Sequence, residues 1–170
     1  MLVFLPIFSI AASLTTLVGM FFGSKEYKVL KYIIRYGIIS AFCITTILSG
    51  LVFLFADIVV GLFTDDANIS QIAITFLKLF AFVYPLISVG ITTGRVLQGL
   101  GKGLPVLVIT VIRVLGVSAP LALFFIFYMN KTVEWVWYSM MVSAAIAFTI
   151  SIIWLLSTIK DIPNIESKTN

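Results

Sequence analysis

The sequence predicts an all-α integral membrane protein of about five transmembrane helices. Two observations carry this. Residues 2–22, 36–56 and 135–159 contain no charged side chain, while 67–94 and 103–130 are each interrupted once, by Lys78 and Arg113. The chain is also 61% hydrophobic and 11% charged over 170 residues. A bilayer core about 30 Å thick takes about 20 apolar residues as helix. A soluble domain of this size could not hide so much apolar surface. The lipid bilayer is therefore the first partner, and any function lies in or across it.

The spans follow in order. The first, 2–22, has Pro6 near its start. No basic residue precedes it, and the first charge is Lys25, on the wrong side of the apolar run for a secretory leader. It is read as a true span with an outside N-terminus, in a chain that begins part-way through something larger. Ser24, in the hinge after it, is placed to cap the next helix through its side-chain oxygen. Lys28, Lys31 and Arg35 are three and four apart, so they share one face at the entry to the second span, 30–55. An acidic loop with Asp65 and Asp66 precedes a helix start at Asn68-Ile69-Ser70. The third span, 71–97, should kink at Pro85. The fourth, 104–128, contains Pro120, and the loop Asn130-Lys131-Thr132 leads to the fifth, 134–157. Residues 1–159 form one transmembrane lobe and 160–170 a polar tail.

Charge placement gives the orientation. Lys25, Lys28, Lys31 and Arg35 belong to one hinge, Arg95 and Lys102 to another, and Lys160 and Lys168 to the tail. With five crossings these three segments share a side. Asp57, Asp65, Asp66, Lys131 and Glu134 fall on the other. Basic residues mark the cytoplasmic side, so the C-terminus is expected there, in a multi-pass protein of the plasma membrane. Orientation explains the bases, and nucleic acid is excluded as a partner.

Catalysis is not expected. The chain has no His and one Cys, Cys43, within a span. That removes an internal disulfide, a Cys/His metal site and the commonest acid–base and nucleophilic groups. Gly99-Leu100-Gly101-Lys102-Gly103 has the look of a phosphate-binding loop, but Gly103 stands where Ser or Thr is needed and a helix precedes it rather than a strand. It is read as a tight turn between spans. Gly90-Ile91-Thr92-Thr93-Gly94 is a small-residue face, suited to close helix packing or to lining a substrate path. Arg113 lies about ten residues into its span and needs a partner, a wet cavity or a route to the cytoplasmic surface. Lys78 is placed to snorkel to the outer interface. No Asp or Glu lies mid-span, so the chain offers no carboxylate at depth for a coupling cation. Asn68-Ile69-Ser70 and Asn130-Lys131-Thr132 are sequons too close to the membrane to be read as glycosylated.

The order of these features resembles a known family. Pro6, then Ser13-Leu14-Thr15-Thr16-Leu17-Val18-Gly19 and Phe22-Gly23-Ser24-Lys25, is similar to a stretch of the multidrug and toxic compound extrusion (MATE) transporters. So are Leu62-Phe63-Thr64-Asp65-Asp66, Phe76-Leu77-Lys78-Leu79, Val96-Leu97-Gln98-Gly99-Leu100-Gly101-Lys102, and Arg113 followed by Pro120-Leu121-Ala122. The motifs occur in family order over nearly the whole chain. The resemblance implies two six-helix lobes related as pseudo-repeats, of which this chain matches the last five helices of the C-terminal one. It further implies antiport of drugs or other cationic and amphiphilic small molecules against Na⁺ or H⁺, by one lobe rocking against the other. An N-terminal lobe, or a partner chain supplying it, is then an implied partner alongside a small-molecule substrate. No cofactor is implied beyond the coupling ion. No cation ligand transfers, because the matching spans lack acids. The cavity-lining candidates are Thr15, Thr16, Tyr84, Ser88, Thr92, Gln98 and Arg113. Two rival readings stand beside this one: an exporter resembling lipid-linked oligosaccharide flippases, which would want more bases in its cavity, and a truncated membrane protein that transports nothing.

Overall fold

The computed structural model describes residues 4–129 and 134–162. The loop at 130–133 and most of the tail, with Lys168, lie outside the described residues. Among the described residues the chain is helical and contains no strand. The elements are α1 (Phe4–Gly23), α2 (Tyr27–Leu54), α3 (Ala56–Gly61), α4 (Ala67–Ala81), α5 (Tyr84–Gly99), α6 (Leu104–Val111), α7 (Ala119–Leu123) and α8 (Glu134–Lys160). π-Helical stretches at Ile112–Ser118 and Phe124–Tyr128 flank α7, so Leu104–Tyr128 is one continuous span. Four helices are long and apolar enough to cross a membrane, or five when the bent pair α4–α5 is counted as one. That matches the expected all-α membrane architecture.

The bend between α4 and α5 is 54°. Pro85, in the first turn of α5, has no N–H to donate and clashes with the carbonyl four residues back, so the helix stops at Ala81 and restarts. The kink expected there is a full break. The Ser49 hydroxyl donates to the freed carbonyl of Ala81 and ties α2 to the break. α4 starts earlier than its sequence suggested. Asp66 caps it, accepting from the backbone N–H of Asn68 at 2.9 Å and of Ile69 at 3.2 Å. Ser24, by contrast, caps nothing: its hydroxyl donates back to Phe21 O. Lys25 adopts φ +62°, the left-handed conformation common just past a helix end, and Glu26, not Ser24, stands at the N-cap position of α2.

α1, α2 and α5 form the packed centre. α1 buries Ile7, Ala11, Leu14 and Val18, a single face at helical spacing. α2 buries Leu30, Ile34, Gly37, Ala41, Thr45 and Ser49 in the same rhythm. Most of the remaining apolar surface points outward, as a chain in lipid requires: Leu62, Phe63, Leu104 and Phe127 are each more than three-quarters exposed. Close approach comes from glycine. A Cβ at Gly99 would stand 2.7 Å from the Thr15 carbonyl oxygen and 2.9 Å from Val18 Cβ. A Cβ at Gly37 would meet the end of the Leu14 side chain at 2.7 Å. The α1–α2 turn, the α5–α6 hinge and the end of α8 meet at one end of the bundle. Leu100, Lys102, Thr158 and Ile162 share a hollow there with Phe22 and Tyr27, and Lys31 Nζ donates to Ile162 O at 3.5 Å. At the other end Lys78 forms an ion pair with Asp57 of α3 at 2.9 Å. The basic hinges thus cluster at one end of the bundle, and this Asp–Lys pair marks the opposite one.

Candidate functional site

α5, α8 and the Leu104–Tyr128 span, with Phe8 of α1, line a half-open cavity of about 300 Å³. α5 presents Ile87, Gly90, Ile91, Gly94, Arg95 and Gln98 to it, positions that recur every three or four residues and so form one stripe. Val106, Ile109, Thr110 and Arg113 supply the second wall, and Ala144, Ala147, Phe148 and Ser151 the third, in the same rhythm. Glycine and alanine leave the space between these walls unfilled. Gly90 has no atom within 4 Å of a would-be Cβ, and Gly94 meets only Val106, at 3.5 Å. The Gly90–Gly94 face therefore borders the cavity, and the tight helix contacts fall at Gly99 and Gly37 instead.

The polar groups are unevenly chosen. Two arginines line the space and no acid does. Arg95 Nη1 donates to Gln98 Oε1 at 3.2 Å, one turn along the same face. Arg113 is half-buried and has no hydrogen bond or ion pair with any described residue. It is the second residue of the π-helical stretch. Pro120 cannot donate to the carbonyl four residues back, and the wider π turn accommodates the defect. The cavity therefore lies beside a local departure from the α-helical ladder. Among the described residues no cluster of His, Cys, Asp or Glu could hold a metal ion.

The sequence-derived candidates separate into groups. Gln98 and Arg113 are on the cavity wall. Ser88 and Thr92 are fully buried in α5, with hydroxyls donating to Pro85 O and Ser88 O at 2.8 Å each. Thr15 sits where α1 crosses α5, its hydroxyl 3.0 Å from Ala11 O and 3.3 Å from Arg95 O. Tyr84 belongs to an aromatic cluster at the helix break, with ring centroids 5.4 Å from Phe4 and 6.3 Å from Phe80. Thr16 is exposed on α1. Arg95, Thr110 and Ser151 line the cavity and were missed. Arg95 was recoverable, being three residues before Gln98 on the same helical face. Ser151 carries no such signal in an uncharged span.

A family model, MatE, matches residues 1–124. The chain belongs to the MatE family. It is 26% identical over 154 residues to a probable multidrug resistance protein NorM of Thermotoga maritima, covering 91% of this chain and 33% of that protein. It is also 26% identical over 158 residues to an uncharacterized transporter of Schizosaccharomyces pombe, covering 89% of this chain and 28% of the other. An inward-facing multidrug resistance MATE transporter superposes with TM-score 0.87 at 26% identity, over 98% of this chain and 39% of that one. A transporter of the same superfamily from Pyrococcus furiosus, described as having a binding pocket of reverse polarity, also superposes with TM-score 0.87 at 26% identity, over 95% of this chain and 36% of its own. The chain thus spans about a third of the length of the relatives it matches. The solved relatives that it superposes on are membrane transporters.

Proposed function

We propose that this chain is the C-terminal-lobe part of an antiporter that exports drugs or other amphiphilic or cationic small molecules in exchange for Na⁺ or H⁺. The observation that carries the reading is the cavity: a polar-flanked space inside an otherwise apolar bundle, walled by helices of a transporter family. Gln98 and Arg113 line the stretch of the transport path that this chain supplies, and a cationic cargo would be held by the part beyond it. Thr15 ties α1 to α5 through Arg95 O, Ser88 and Thr92 are buried with their hydroxyls on carbonyls of α5 itself, and Thr16 and Tyr84 face the remainder of the transport path. The coupling carboxylate comes from outside the described residues, since none lines this cavity. The end of the bundle that gathers Lys28, Lys31, Lys102 and Lys160 faces the cytoplasm of the plasma-membrane protein, and the C-terminus with it. The break at Pro85 and the π turn beside Arg113 are natural flex points for alternating access.

The test begins with an epitope tag after Asn170 at the native locus. The tagged species should run at more than twice the 18.8 kDa of this chain, or co-purify with a second lobe. Reconstituted in vesicles, it should move a fluorescent drug uphill when a Na⁺ or proton gradient is imposed, and stop when an ionophore collapses the gradient. A lone species near 18.8 kDa, or leakage indifferent to any gradient, refutes the reading.

A further inference from the structure

The charge inside the cavity has one sign. Arg95 and Arg113 line it together, and none of the other lining residues is ionisable. Both side chains are guanidinium cations. An arginine at membrane depth persists only with a partner or a wet cavity. Arg113 has the cavity, and no described residue pairs with it. A cationic ligand entering here meets two like charges and no opposite one. An anion supplies the missing counter-charge.

We infer that this cavity takes the anionic head of an amphiphile, a carboxylate or phosphate seated on Arg113 and Arg95, with its apolar body along the wall. The inference rests on the transport reading and narrows its cargo. Guanidinium groups present paired N–H donors that match the two oxygens of a carboxylate or phosphate. The bond from Arg95 to Gln98 Oε1 uses the amide oxygen and leaves the amide N–H₂ of Gln98 to donate to the same anion. The Ser151 hydroxyl on the opposite wall adds another donor. Ile87, Ile91, Ile109 and Phe148 give an apolar bed for the tail. The volume, about 300 Å³, suits a head group and a short length of chain. A cationic cargo would be held by the part of the transporter beyond this chain.

The anion can belong to a soluble amphiphile or to a membrane lipid, and one experiment separates them. The protein is placed in phosphatidylcholine nanodiscs and titrated with dansyl-aminoundecanoic acid, and in parallel with the dansyl probe that ends in an ammonium. The carboxylate probe should bind saturably and the ammonium probe should not. Arg113→Gln should weaken the carboxylate probe about tenfold, with Arg113→Lys in between, because the charge remains while the fork is lost. If Arg113→Gln does not fold, Arg95→Gln carries the same test. Replacing part of the lipid with phosphatidylglycerol should displace the probe if the natural head is a lipid's, and leave it bound if the ligand is soluble. Equal binding of the two probes, or unchanged affinity in a folded Arg→Gln variant, overturns the inference. Binding needs no gradient and no turnover. A failure of coupled transport would therefore leave this result standing, and a failure here would leave transport standing.

Discussion

Gly99→Ala should destabilise the protein, and Gly90→Ala should not. Both replace a glycine of α5 by the best helix former, and by propensity alone each should gain about 0.5–1 kcal/mol. Their surroundings differ. At Gly99 the new Cβ would stand 2.7 Å from the backbone oxygen of Thr15 and 2.9 Å from Val18 Cβ, against ordinary contact from 3.4 Å outward. The Thr15 oxygen belongs to the backbone of α1 and cannot rotate away, so α1 and α5 must part locally by several tenths of an ångström. The Thr15 hydroxyl at Arg95 O and the core pair Val18–Leu97 lie in the same crossing and share the displacement. Overpacking of this kind costs about 1–3 kcal/mol. At Gly90 nothing stands within 4 Å. The propensity gain is common to both, so the two variants should differ by about 1–3 kcal/mol, Gly99→Ala below the parent and Gly90→Ala at or above it. Reversible unfolding in bicelles, by titration with dodecyl sulfate and tryptophan fluorescence, reads the difference. Equal stabilities would show that the α1–α5 crossing is not set by the absence of a side chain at Gly99.

Two further predictions use other features. Thr93 is fully buried and its hydroxyl oxygen has no partner among the described residues, so Thr93→Val removes an unpaired polar group at nearly constant shape. It should leave stability unchanged or raise it by about 1 kcal/mol in the same assay. In a Cys43→Ser background, Lys102→Cys should react with an impermeant maleimide only from the cytoplasmic face and Asp65→Cys only from the outer face; labelling of both from one side would refute the five-crossing topology.

The candidate site was half legible. Gln98, from the hinge after the third span, and Arg113, the charge within the fourth, both reach the cavity. Thr92 and Ser88, candidates through the family resemblance, do not line it, since a Ser or Thr hydroxyl can satisfy itself on the carbonyl three or four residues back and needs no cavity. Arg95 reads in sequence as a hinge residue. Ser24 reads as a cap by residue type alone, but Glu26 holds the N-cap position of α2 and the Ser24 hydroxyl bonds Phe21 O.

The sequence by itself determined the apolar spans and that the third is interrupted at Pro85. Burial in lipid asks only for about 20 apolar residues, and a proline interrupts a helix through its own covalent geometry, so both are local properties. Only the tertiary structure decided which helix faces meet. The cavity exists because α5, α8 and the Leu104–Tyr128 span turn particular stripes toward one another, with small residues leaving the space between them unfilled. Its positive lining joins Arg95 and Arg113, eighteen positions apart in the chain and on different helices. No local rule of residue type or spacing brings such a pair together; helix packing does.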